Sequence, residues 1–110
     1  MSQALVILCT CPDSPTALEL ARGLVSNQLA ACVNVLPGIR SIYRWQERIE
    51  DEEEVLLIIK STPEALQAVE AWLRDHHPYD VPEVVALRAG HVSRGYLDWL
   101  TGQVAGHPAG

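Results

Sequence analysis

Residues 29–60 read LAACVNVLPGIRSIYRWQERIEDEEEVLLIIK, two extended segments that meet at Gln46-Glu47. A two-residue turn at that point would set Arg40 opposite Glu53, a pairing of opposite charges that favours this register. Pro37 has no N–H to donate to a strand ladder, so the first segment belongs at a sheet edge or carries a bulge. The stretch therefore predicts a long β-hairpin, and the rest of the fold is built around it.

The flanking sequence supplies two more strands and three helices. Ser14-Pro15 and Thr62-Pro63 are helix-start signals, because each places a capping hydroxyl before a proline at the first helical position. Apolar periodicity then predicts strands at 4–10 and 84–89 and helices at 15–27, 62–77 and 93–101. The order is βαββαβ with a C-terminal helix. Right-handed crossovers make this an α+β, ferredoxin-like sandwich with strand order 4-1-3-2.

Length and charge limit the classes of function. A chain of 110 residues favours one domain, and we expect it to span 1–102, followed by a flexible glycine-containing tail at 103–110. The net charge of -6, with eight basic residues in all, argues against a nucleic-acid partner. No apolar run approaches a membrane span and no signal peptide is evident, so the prediction is a cytoplasmic protein without a membrane partner. Three cysteines favour reduced thiols over a disulfide framework.

The hairpin predicts self-association. Its arms are more than twice as long as the usual strand of about 5–6 residues, so it must project beyond the sheet. Tyr43 and Trp45 near its tip are large surfaces that are costly to leave in water. A closed homo-oligomer in which hairpins complete neighbouring sheets would cover them. The alternative is a hairpin folded back over its own core.

Candidate metal ligands converge on one sheet edge. The first strand ends there with Cys9, the second helix ends there with His76 and His77, and Glu83 precedes the last strand. Thiolate and imidazole suit copper or zinc. Cys11 shares a strand face with Cys9. The alternatives are that Cys9 is a packing residue and that the two histidines only cap the helix C-terminus.

Two other patterns favour other interpretations. The acidic run Glu50 to Glu54 alternates between strand faces, which favours a solvated, protected edge over a cation site, although a hard cation could bind weakly. Cys9, His76 and Glu83 resemble a nucleophile triad, but the sequence offers no oxyanion site beside Cys9. We therefore expect no enzymatic activity and no catalytic residues.

Several segments, taken in order, resemble the CutA family of divalent-cation tolerance proteins. The matching segments run from the first strand to the last helix: Cys9-Thr10-Cys11-Pro12-Asp13, Leu29-Ala30-Ala31-Cys32-Val33-Asn34, Pro37-Gly38-Ile39, Ser41-Ile42-Tyr43-Arg44-Trp45, Ile49-Glu50, Lys60-Ser61-Thr62, His76-His77-Pro78-Tyr79, Pro82-Glu83 and Tyr96-Leu97-Asp98-Trp99.

The resemblance implies a homotrimer similar in architecture to the nitrogen-regulatory PII signalling proteins, with a role in tolerance to copper and other divalent cations. It implies copper at Cys9, His76 and His77, with Glu83 beside them. An alternative that the same architecture leaves open is a signalling or interaction module sensing a small ligand at the subunit clefts. One departure is Glu47, where the family usually has glycine just after the hairpin tip. This predicts a wider loop or local strain.

Overall fold

The computed structural model describes residues 3–105, and these form the predicted α+β, ferredoxin-like arrangement. The elements in chain order are β1 (Leu5–Cys11), α1 (Ser14–Ser26), β2 (Cys32–Trp45), β3 (Arg48–Ser61), a short 3-10 turn (Pro63–Ala65), α2 (Leu66–His76), β4 (Val85–Arg88) and α3 (Arg94–Gln103). The four strands form one antiparallel sheet in the order β2-β3-β1-β4, which confirms the predicted strand order.

Both predicted helix starts are capped, with one shift. Thr62 accepts a hydrogen bond from the Ala65 N–H and begins the turn that leads into α2. At α1 the cap is Asp13 rather than Ser14, because its carboxylate accepts from the Thr16 N–H at 2.8 Å. A carboxylate suits the positive end of the helix dipole. The helix therefore begins one residue earlier than predicted.

One face of the sheet packs against the helices. Alternate residues of β1 and β3 point into this core, including Ile7, Leu57 and Ile59, which are fully buried. Full burial of each such side chain contributes about 1.5–3 kcal/mol to folding. The contact between α1 and α2 is very close: a Cβ on Gly23 would lie 2.4 Å from the Trp72 ring, so only glycine fits there.

The opposite face carries a second set of apolar side chains outside this core, and we call it the open face. It consists of Val6, Leu8, Leu36, Leu56, Ile58, Val85 and Leu87, brought together by the strand register. Leu36, Val85 and Leu87 are exposed in the single chain. An apolar face of this kind is typical of a surface that a protein partner or a further subunit covers.

The hairpin has the predicted register, with Arg40 opposite Glu53. The Arg40 guanidinium bonds diagonally to Asp51 at 3.0 Å, and this contact lowers the pKa of that carboxyl. β2 lies at the sheet edge and also carries a bulge between Leu36 and Ile39, where Gly38 adopts φ +81. Both outcomes expected from Pro37 therefore occur together.

The hairpin tip is a two-residue turn, so the wider loop considered for Glu47 is wrong. Gln46 and Glu47 have φ of 50 and 65, a region that favours glycine. We expect Glu47→Gly to raise the free energy of unfolding by about 1 kcal/mol, since it removes a left-handed non-glycine residue. Urea unfolding monitored by circular dichroism measures the change. Glu50→Gly, in an ordinary strand position, is the matched control and should destabilise by about 0.5–1 kcal/mol. Equal effects of the two changes would contradict strain at the tip.

The last helix extends past the predicted boundary. α3 continues to Gln103, Val104 is buried in the core, and the Ala105 N–H bonds to the Gln28 carbonyl at 2.9 Å. The chain after the helix therefore packs back onto the loop that follows α1. The remainder of the predicted tail, 106–110, lies outside the described residues.

Candidate metal centre

Two thiols lie side by side at the end of β1. Alternation along a strand places Cys9 and Cys11 on the helix-covered face, where they sit opposite Leu57 and Val55 of β3. Both are 0% exposed and neither forms a disulfide. The strand therefore presents two buried sulfur atoms on one face of the sheet.

His77 lies beside the two thiols. It follows the last helical residue of α2 and is extended, as expected before a proline. Its ring is only 7% exposed: Nδ1 accepts from the Tyr79 N–H at 3.0 Å, and Nε2 lies 2.8 Å from the Thr10 carbonyl oxygen. Because Nδ1 is an acceptor, the proton is on Nε2, which donates to Thr10. This neutral tautomer fastens the chain after α2 to the end of β1.

His76 lies elsewhere. It is still helical and exposed, and its ring stacks on Trp72 with centroids 4.0 Å apart. Its Nδ1 is 2.8 Å from the Trp72 carbonyl oxygen. Adjacent helical positions differ by about 100° in direction, and although His77 leaves the helix, the two rings still point to different surroundings.

The structure brings together some of the predicted ligands and leaves others apart. Donor atoms of Cys9, Cys11 and His77 lie within 4.8 Å of one another, the sole such group of metal-ligating side chains among residues 3–105. Of the four predicted ligands, this cluster contains Cys9 and His77 but not His76 or Glu83. Cys11 is the addition. The shared strand face with Cys9 was the signal for it, although a Cys-x-Cys spacing alone does not distinguish ligands from packing residues.

The two thiols influence each other's ionisation. The hydrogen bond to Cys11, followed by burial and by the charges of Glu83 and Glu54, raises the pKa of Cys9. The same hydrogen bond lowers the pKa of Cys11, so Cys11 is the thiol that ionises first. These effects favour the protonated form of Cys9, and a bound soft cation would favour the loss of its proton.

A separate cleft of ≈ 1060 Å³ lies on the other face of β3. Glu50, Glu52 and Glu54 line it together with Tyr43, Trp45, Tyr79 and Glu83. Glu54 is 9% exposed and accepts from the Tyr79 hydroxyl at 2.6 Å, so the view of the acidic run as a wholly solvated edge is wrong at this residue. Burial, followed by the bond to Glu54, raises the pKa of Tyr79. The Tyr43 hydroxyl donates to Glu52, which raises the pKa of Tyr43 to about 12.

Comparison with known proteins identifies the family. A model described as CutA1 divalent ion tolerance protein matches residues 5–103. The chain belongs to the CutA family. A relative from Thermus thermophilus, named divalent-cation tolerance protein CutA, is 45% identical over 95 residues, which cover 86% of this chain and 92% of the relative.

Solved CutA structures confirm the fold. The Cut A1 protein of Thermus thermophilus superposes with a TM-score of 0.90 at 42% identity, covering 93% of this chain and 99% of that one. The Archaeoglobus fulgidus protein, described as periplasmic, gives a TM-score of 0.89 at 30% identity, covering 93% and 99%. Within residues 3–105, no helix of this CutA chain has the length and apolar character needed to cross a membrane.

Proposed function

We propose that this CutA chain is a cytoplasmic, homotrimeric metal-binding protein that acts in divalent-cation tolerance, with copper or a similar cation such as zinc as its ligand. The observation that carries the proposal is the buried cluster in which Cys9 and His77 converge. Sulfur and imidazole nitrogen are ligands that copper and zinc share. The names of the relatives, which refer to divalent-cation tolerance, support the same role.

The proposed role is binding rather than catalysis. Cys9 is fully buried, so no substrate reaches its sulfur. A nucleophile and its base need access to a substrate, whereas a metal ion needs only converging donor atoms. The buried geometry thus supports storage or sensing of an ion.

Self-association is supported by surfaces that one chain leaves uncovered. The apolar open face spans all four strands, and Ile42, Trp45 and Ile49 are well exposed along the hairpin. A homotrimer that packs open faces together and covers the hairpins would bury both surfaces. The net charge of -6 disfavours binding to nucleic acid, which is itself negatively charged. The proposed partners are therefore further copies of the chain and metal ions.

Calorimetric titration of the reduced protein tests the metal site. We expect saturable uptake of about one ion per chain with zinc or with copper supplied as Cu(I), and loss of that uptake in Cys9→Ala. Cys32→Ala is the matched control, because Cys32 lies in β2 outside the cluster and should leave uptake unchanged. Unchanged binding by Cys9→Ala, or no binding by the unmodified protein, would refute the site.

The carboxylate-lined cleft supports a second candidate function, the sensing of a small ligand at a subunit cleft. Its aromatic walls and its acidic residues Glu50, Glu52 and Glu54 suit an organic cation. Putrescine at millimolar concentration should then raise the thermal midpoint of the metal-free protein, and Glu54→Gln should reduce that shift. Equal shifts with putrescine and with the same ionic strength of sodium chloride would argue against a ligand site.

A further inference from the structure

A second thiol distinguishes the site in this chain from a site with one cysteine. Cys11 contributes its sulfur from the same strand face as Cys9, and both sulfurs and a His77 nitrogen lie within 4.8 Å of one another. Metal–sulfur bonds are about 2.3 Å long, so two sulfurs this close to each other can both reach one ion.

We propose that Cys9 and Cys11 together bind one Cu(I) ion, so that the copper held by this chain is monovalent. The inference rests on the proposed function, because it specifies the ion and the second ligand of that site. Soft thiolates select Cu(I). Two buried thiolates are enough to coordinate an ion that accepts a low coordination number.

The surroundings disfavour ions that need more ligands. Zinc in structural sites takes four donors, whereas the cluster offers two sulfurs and one imidazole. Each nitrogen of His77 is already engaged, at 2.8 Å to Thr10 and at 3.0 Å to Tyr79. With Cys9 and Cys11 both 0% exposed, water does not complete the shell. Glu83 lines the cleft and is not part of the cluster.

Binding moves protons but no electrons. Two thiols lose two protons to solvent and the ion arrives as Cu(I), so the product is a bis-thiolate copper complex with one negative charge. A donor such as a Cu(I)–thiol complex would supply the ion in its reduced state. His77 retains its bonds to Thr10 and Tyr79.

Competition with a Cu(I)-specific chromophoric chelator, bathocuproine disulfonate, tests the proposal under anaerobic conditions. The unmodified reduced protein should withdraw one Cu(I) per chain. Cys11→Ala should weaken Cu(I) binding by more than the roughly 10–100-fold that loss of an outer-shell partner costs. Cys32→Ala and His76→Ala should bind as the unmodified protein does. X-ray absorption of the loaded, unmodified protein should show two sulfur atoms at the copper.

The outcomes separate this inference from the proposed function. Normal Cu(I) affinity in Cys11→Ala together with loss in Cys9→Ala would overturn the two-thiolate site and leave a one-cysteine site intact. One sulfur plus nitrogen in the absorption spectrum, or displacement of Cu(I) by equimolar zinc, would overturn it as well. Failure of the unmodified protein to bind either ion would refute both. Circular dichroism checks the fold, and Cys11→Val, which retains apolar volume, replaces Cys11→Ala if alanine destabilises the core.

Discussion

Ile58→Asp is expected to convert the protein from the proposed trimer, about three times the 12.1 kDa of the chain, into a monomer. Ile58 lies near the middle of the open face, between Leu8 of β1 and Asn34 of β2. In a monomer the aspartate would be exposed to solvent. In a trimer it would be buried among apolar side chains without a positively charged or hydrogen-bonding partner. An effective penalty of several kcal/mol for each buried charge exceeds what the remaining interface can offset. Sedimentation equilibrium at micromolar concentration measures the mass.

Leu18→Asp is the matched control for this change. Leu18 is also apolar and is exposed, but it lies on α1, in the helical layer on the other side of the sheet. We expect it to leave the mass unchanged. Equal masses for Ile58→Asp and the unmodified protein would contradict assembly through the open face, and a monomeric unmodified protein would contradict the trimer itself.

His77→Ala is expected to lower the free energy of unfolding by about 2–4 kcal/mol, because it leaves two backbone partners of a buried ring without their hydrogen bonds. The Thr10 carbonyl and the Tyr79 N–H are those partners, at 2.8 and 3.0 Å. The loss would also loosen the chain that follows α2. Urea denaturation gives the free energy, and alkylation of the native protein should reach Cys9 and Cys11 faster than in the unmodified protein.

His76→Ala is a control one residue away. Its ring is exposed and contacts Trp72 of the same helix, so its removal should cost less than about 1 kcal/mol. It should also leave the rate of alkylation at Cys9 and Cys11 unchanged. Similar losses for the two alanine variants would show that His77 does not have the fastening role described above.

The architecture was predictable because local rules determine it. The turn at Gln46-Glu47 and the charge pairing of Arg40 with Glu53 determine the hairpin register, and the proline-containing caps mark the helix starts. Right-handed crossover connections between the strands are then compatible with only one strand order. The convergence of Cys9 and His77 at one edge follows from that topology, since strand and helix ends that share an edge bring their side chains together.

The details of the site depended on contacts between distant segments. Whether His77 turns inward depends on a bond to Thr10, 67 residues away in the chain. The burial of Glu54 similarly depends on Tyr79, which comes from the segment after α2. Hydrophobic periodicity and secondary-structure propensity describe residues that are close along the chain and do not reveal such contacts. For the same reason Cys11 could be placed on the same face as Cys9 but not recognised as part of the cluster with His77.

The bulge at Pro37–Gly38 reverses the parity of β2. Before it, even-numbered residues such as Leu36 point to the open face, and after it, odd-numbered residues such as Tyr43 do so, because two residues of β2 lie opposite one residue of β3. Regular alternation from Leu36 without the bulge would direct Ile42, rather than Tyr43, to the open face. Tyr43 would then point away from the carboxylates of the cleft. The one extra residue thus decides which side of the molecule the aromatic side chains of the hairpin face.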